Sequence, residues 1–262
     1  LMGTMGLVLL GLGLTPWTVT TGSFERDMLA TLSSSAPLKL EVSGGSTLAL
    51  LPKPHLTVSG IRISSSAGDL TIAAPTLRAD LKLGSLLTGR MDIDSVDFQS
   101  PQIDITTDAG DPTGAALFAP FGKLFAGAQQ TPRVILRQGV LFARDDKVII
   151  STLRDLNLMV AQRKPGAPVA LSGSLRWRGE DATVTALWPV SEAPDSARDV
   201  SARIKSELMT LRFEGKRGIA DPQRGDGKLT IETPSLSRLL AWFGAFPPLG
   251  VVPARVRLGS DI

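Results

Sequence analysis

The chain has 262 residues, with 28 lysines and arginines against 25 aspartates and glutamates, a net charge of +3, no cysteine, no tyrosine and one histidine. Interspersed charge and scarce aromatics argue against a nucleic-acid partner, which needs a basic stripe and stacking rings, and the lack of cysteine excludes a disulfide framework or a thiolate metal site. At 43% hydrophobic residues the chain can bury a sizeable core in one or two domains.

The N-terminal run Leu1–Leu14 belongs to a stretch with no charge before Glu25. A bilayer-spanning helix needs about 20 apolar residues, so this run is a few short. No basic leader or small-residue cleavage site marks a secretory signal. Residues 1–17 therefore read as a transmembrane anchor cut at its start, with Leu7, Val8, Leu9, Leu10, Leu12 and Leu14 as its apolar body. The pattern also stops in mid-course at Ile262, as if cut at its end. Glu25 to Leu32 has the spacing of a helix of about two turns.

From Leu38 onward the period changes to two, the mark of strands with one apolar and one wet face. Leu38, Leu40 and Val42 alternate, and Gly44-Gly45 predicts a turn. Pro52 and Pro54 each lack a ladder donor, so they mark an edge or a stiff crossing. Leu56 and Val58 alternate, then Gly60 shifts the phase to Ile61 and Ile63, as a bulge would. Leu77, Ala79, Leu81 and Leu83 alternate with Arg78, Asp80 and Lys82. After a Gly84 to Gly89 connection, Met91 and Ile93 are odd while Val96 and Phe98 are even, which predicts a bulge near Asp94–Ser95. Pro101 resets the phase for Ile103 and Ile105.

Alternation fails over 106–132, where Leu117, Phe118, Phe121, Leu124 and Phe125 have helical spacing, so this segment reads as a helical or mobile insert. Strands then recur about every ten residues: Val134–Phe142, Val148–Ile150, Leu156–Val160, Val169–Trp177, Thr183–Trp188, Val200–Ile204, Leu208–Phe213 and Lys228–Ile231. Ser235 caps a predicted helix with Leu236, Leu239, Leu240 and Phe243 on one face, ended by Gly244. The fold class is mainly β: a long curved antiparallel sheet of about a dozen strands forming an open groove or half-barrel, with the N-terminal anchor and a few short helices.

Chemistry-bearing constellations are few. His55 is the one histidine and sits beside two prolines, so a triad through it is not expected. Asp92, Asp94, Asp97 and Asp104 resemble metal-site material, yet alternation puts them on a solvated strand face, and no EF-hand glycine or terminal glutamate follows. No enzyme, cofactor or metal is expected. A sheet of this size needs a second layer over its apolar face, and three short helical pieces are too little. The rest of the chain, another subunit or lipid must cover it.

Several segments together resemble the AsmA family. They are the N-terminal anchor, Leu48 to Ile63 around Pro52-Lys53-Pro54-His55-Leu56, Pro75-Thr76-Leu77-Arg78-Ala79-Asp80-Leu81, Leu86-Leu87-Thr88-Gly89-Arg90, and Val96-Asp97-Phe98 to Pro101-Gln102-Ile103. Leu211-Arg212-Phe213-Glu214-Gly215 and the helix from Pro234 to Gly244 are similar to its later repeats. The resemblance implies a single-pass bacterial inner-membrane protein with residues 18–262 as a β-rich periplasmic region. It also implies kinship with chorein-type lipid transfer proteins, whose apolar groove takes phospholipid acyl chains, and a part in lipid transport to the outer membrane. Pro52, Pro54, Leu86, Leu87, Gly89 and Pro101 would be structural motif residues. Leu77, Leu81, Leu83, Ile93, Phe98, Ile103 and Ile105 would lie on the groove floor. Family members are usually much longer, so a groove spanning the periplasm is not implied. The alternatives are an assembly factor contacting outer-membrane or other envelope proteins, and a structural module of a cell-wall complex.

Overall fold

Alternating runs of Leu, Ile, Val and Thr between Gly and Pro punctuation make strands almost throughout. The computed structural model describes residues 17–18, 38–65, 68–87, 92–107, 133–145, 148–164, 167–188, 198–217, 225–243 and 256–261. The anchor residues 1–16, the expected helix at 25–32, the body of the 106–132 insert and Gly244 lie outside these. Among the described residues the chain is mainly β with two short helices, and no helix there is long and apolar enough to cross a membrane. Two compact units divide the chain, Leu1–Ala128 with Pro132–Ser151, and Gln129–Thr131 with Thr152–Ile262.

The first unit contains β1 (Trp17–Thr18), β2 (Leu38–Val42), β3 (Ser46–Ala49), β4 (His55–Ser65), β5 (Leu70–Leu81), α1 (Leu83–Leu87), β6 (Ile93–Gln99), β7 (Gln102–Thr107) and β8 (Arg133–Asp145). Its sheet runs β1-β3-β4-β5-β6-β8, with β2 also on β4 and β7 between β5 and β8. The sheet is not antiparallel throughout, as the alternation suggested: β6 and β7 both pair with β8 in parallel. A parallel return needs a connection of a dozen or more residues, and 108–132 supplies that length. Thr106 and Thr107 extend β7 rather than opening the insert.

Gly44-Gly45 does not turn the chain. Val42 pairs with Ile61 and Ser46 with Val58, so Ser43, Gly44 and Gly45 oppose only Ser59 and Gly60, as a bulge. The amide of Ser43 donates to the Gly60 carbonyl at 2.8 Å, and that of Gly44 to the Ser59 carbonyl at 3.0 Å. Gly44 must be glycine, since a Cβ there would lie 2.6 Å from that Ser59 oxygen.

The Gly60 phase shift is one point of a crease crossing β4, β5, the β6–β7 junction and β8. Val58 and Ile61 are buried around Ser59-Gly60, Ala74 and Leu77 around Pro75-Thr76, Phe98 and Pro101 around Gln99-Ser100, and Leu136 and Gly139 around Arg137-Gln138. Pairing aligns them, because Val58, Leu77, Phe98 and Leu136 form one row, and Ile63, Ile72, Ile103 and Leu141 form another beyond the break. Gly60, Ser100 and Gln138 have φ of 63°, 45° and 54°. Two consecutive outward residues per strand keep the same face inward while preserving register. The bulge expected near Asp94 is present: Asp80 pairs with Ser95 and Leu81 with Ile93, leaving Asp94 extra.

The second unit holds most of β9 (Val148–Gln162), then β10 (Val169–Trp177), β11 (Glu180–Trp188), β12 (Arg198–Ser206), β13 (Thr210–Arg217), β14 (Gly225–Thr233), α2 (Leu236–Phe243) and β15 (Val256–Asp261). These strands pair antiparallel in sequence order. Val148–Ile150 and Leu156–Val160, expected as two strands, are one strand of 15 residues, interrupted by a bulge where Asp155 takes φ 50°. Leu208 and Met209 precede β13 in a turn, where both their amides donate to Ser206 Oγ at 3.2 Å. Arg178 and Gly179, at φ 48° and 86°, make the two-residue β10–β11 turn, as a type I′ hairpin requires.

Candidate functional site

Register in the second unit aligns apolar residues across the sheet. One row runs Leu158, Gly173, Val184, Ile204, Leu211, Ile231, and the next Val160, Leu171, Ala186, Ala202, Phe213, Leu229. The opposite face carries Asn157, Ser174, Thr183, Lys205, Thr210, Glu232 in one row, and Met159, Ser172, Thr185, Arg203, Arg212, Thr230 in another. Alternation thus yields one apolar and one polar face over six strands.

Glycine shapes the apolar face at two points. A Cβ on Gly173 would run into the Asn157 carbonyl, and one on Gly227 would lie 2.6 Å from the Phe213 ring, so that ring leans across β14 where no side chain stands.

Burial is graded along these rows. Val160, Leu171 and Val184 are buried, whereas Ile204, Leu211, Phe213, Leu229 and Ile231 are only half-buried. Among the described residues, α2 is this unit's one element outside the sheet, and it packs at one end. Leu239 is buried with Leu208 and Met209, against Trp177, Ile231 and Trp242. Trp177 and Trp242 meet edge-to-face at 4.7 Å, and Arg178 donates to the Trp242 carbonyl at 3.1 Å.

The serine cap predicted for α2 is present, with the Arg238 amide donating to Ser235 Oγ at 3.4 Å. Thr233 Oγ1 donates to the Leu208 carbonyl at 2.8 Å and accepts from the Ser235 amide at 3.2 Å, tying the helix start to the β12–β13 turn. The row through Ala202, Phe213 and Leu229 lies one step farther from that end than the row through Ile204, Leu211 and Ile231.

The floor residues inferred from the family resemblance lie in the first unit. Leu77, Leu81, Phe98, Ile103 and Ile105 are 0–6% exposed and share the inward face. Ile93 is half-buried at the Asp94 bulge. Leu83 does not continue the strand; it starts α1 and is 59% exposed. Pro101 is fully buried and Pro54 buried, while Pro52 is exposed in the β3–β4 loop. Leu86 and Leu87 fall in α1; Gly89 and the anchor leucines lie outside the described residues.

The acidic set is partnered by cations that sequence reading missed. Arg137 holds Asp97 at 2.7 Å and Arg144 holds Asp104 at 2.9 Å, both reaching from β8. Asp92 accepts from Ser85 Oγ at 2.6 Å. Among the described residues no three His, Cys, Asp or Glu converge as a metal site would need. His55 Nδ1 lies 2.9 Å from the Lys53 carbonyl, an acceptor, so that nitrogen carries the proton.

In the second unit Arg176 spans the β9 bulge, 3.1 Å from Asp155 and 2.7 Å from Asp181. Its guanidinium is pushed up by the Asp181 hydrogen bond first and by both charges after, and the same bond holds the Asp181 carboxyl below the ordinary carboxylate range. Both side chains stand in solvent, so this cluster is a strand-surface clamp rather than a reactive site. The half-buried apolar rows were missed as a site because each short run looked like ordinary strand core; only their cross-strand register makes them a surface. No family model matches the chain, and no curated protein matches it.

Proposed function

We propose that this is an AsmA-like, membrane-anchored protein whose apolar sheet face holds phospholipid acyl chains and supports lipid transport toward the outer membrane. The observation that supports this best is the partial exposure of Ile204, Leu211, Phe213, Leu229 and Ile231 in aligned rows, while in the first unit Ile72, Leu77, Phe98, Ile103, Leu136 and Leu141 are buried to 0–6%. Apolar side chains in register but partly open to water are a surface suited to a flexible apolar ligand.

At about 4.8 Å per strand, the partly open segment of these rows across β12, β13 and β14 runs about 10 Å. A lipid tail occupies about half of a roughly 30 Å bilayer core, so this segment takes up a part of one tail. Each methylene removed from water contributes about 0.8 kcal/mol wherever it lies along the row. Neighbouring positions are therefore nearly equivalent, and a tail can slide without crossing a tightly bound state. The polar face behind it, where Arg203 and Lys205 are exposed, keeps the sheet oriented with one side wet.

Native mass spectrometry of the purified chain, followed by delipidation and incubation with phospholipid, tests the reading. Bound phospholipid that returns after removal is the expected result. A folded chain that takes up none would contradict it and favour a protein-contacting assembly factor.

A further inference from the structure

Three of the large exposed apolar side chains lie at one end of the first unit's sheet: Leu50 and Leu51 in the β3–β4 loop, 41% and 36% exposed, and Leu83 at the start of α1, 59% exposed. The Leu81 amide donates to the Pro54 carbonyl at 2.8 Å, which holds this loop beside the β5–α1 junction. Lys53 and Lys82 are exposed beside these leucines. Three leucines held on a braced loop and a helix start, and left in water, form an apolar tip that no core requirement explains.

The direction of β1 says what this tip faces. Trp17 pairs with Leu48 and Thr18 with Thr47, antiparallel to β3. β1 therefore begins at the end of the sheet where β3 enters its loop. In sequence the uncharged run Leu1–Leu14 precedes it.

We infer that this end of the sheet is a bilayer-contacting rim. Leu50, Leu51 and Leu83 enter the boundary between headgroups and acyl chains, while the long side chains of Lys53 and Lys82 reach the phosphates. Insertion is led by apolar contact rather than net charge. Asp94 is exposed on the neighbouring strand, and Asp92 is engaged by Ser85. The inference rests on the anchored part of the proposed function and not on acyl-chain binding, and it makes the sheet stand on the membrane by a second contact besides the anchor.

The absence of native cysteine makes a direct test possible. Leu50→Cys, Leu83→Cys and, as the far-end reference, Lys39→Cys are labelled with an environment-sensitive fluorophore in the full chain. Lys39 pairs with Ser64 near the other end of β4, about 30 Å from His55. The labelled chains are reconstituted with vesicles of phosphatidylethanolamine and phosphatidylglycerol. Blue-shifted emission at 50 and 83, with several-fold stronger quenching by a lipid-borne quencher than at 39, is the expected result. A chain that floats with vesicles while labels at 50 and 83 stay in water overturns the rim alone. A folded chain that does not float overturns the anchoring beneath it. Acyl-chain uptake, measured separately, bears on neither outcome.

Discussion

Gly60 faces Pro75 across the β4–β5 ladder, in the one step between the Ser59–Thr76 and Ile61–Ala74 pairs. Neither supplies an ordinary extended residue there, and the inward face passes to the other parity in both strands at once. Gly60→Val would force a branched side chain into φ 63° and against Ser43 Oγ, costing roughly 2 kcal/mol. Ser100→Gly, at φ 45° in the same crease, should instead add a few tenths to about 1 kcal/mol. Opposite shifts in the urea midpoint of the two variants check the crease.

The buried rows and the charged outer face should differ sharply in what they contribute. Ile103 has no exposure, so Ile103→Ala should cost about 2–4 kcal/mol. Arg137 is 54% exposed at its side chain, and solvent screening limits Arg137→Ala to less than about 1 kcal/mol. Equal losses in denaturant unfolding would show that the Asp97 pair is not a surface interaction.

The helix that closes one end of the second unit depends on its cap and on one leucine. Ser235→Ala should cost about 1 kcal/mol, and Leu239→Ala about 2–5 kcal/mol. Near-ultraviolet circular dichroism should weaken with Leu239→Ala as Trp177 and Trp242 lose their contact. An unchanged spectrum would mean that α2 does not depend on Leu239 for its seat.

Acid behaviour follows from Asp181. Its carboxyl is held low by the Arg176 hydrogen bond, so its stabilisation is present above the unfolded carboxylate value of about 3.9 and fades as pH falls through the lower folded value. Both partners are open to solvent, which keeps the contribution small. Asp181→Asn should leave the thermal midpoint at pH 7 unchanged within error. A drop of many degrees would assign the clamp a structural weight that its exposure denies.

Local signals in the chain were readable where one strand or one helix decides the outcome. The odd-to-even switch from Ile93 to Val96 located the Asp94 bulge, and Pro234-Ser235 followed by spaced leucines located α2. What was not readable depends on pairing between distant segments. The arginines on Asp97 and Asp104 come from 40 residues downstream, and the parallel placement of β8 has no mark in its own alternation. The phase shifts at Gly60 and Pro101 are visible singly, but their alignment with Pro75 and Gln138 exists only once register is known. The half-buried rows have the same cause, since Ile204, Leu211 and Ile231 become a continuous strip only when β12, β13 and β14 are laid side by side.

The most direct test of lipid binding on this strip is photocrosslinking from chosen faces of adjacent strands. A photoreactive phenylalanine analogue at Phe213 or Ile204 should yield phospholipid adducts in membranes containing the full chain, and the same group at Thr183 or Thr185, on the polar face, should yield few. Equal adduct yields from both faces, or none from Phe213 and Ile204 in a chain that remains folded, would contradict the account.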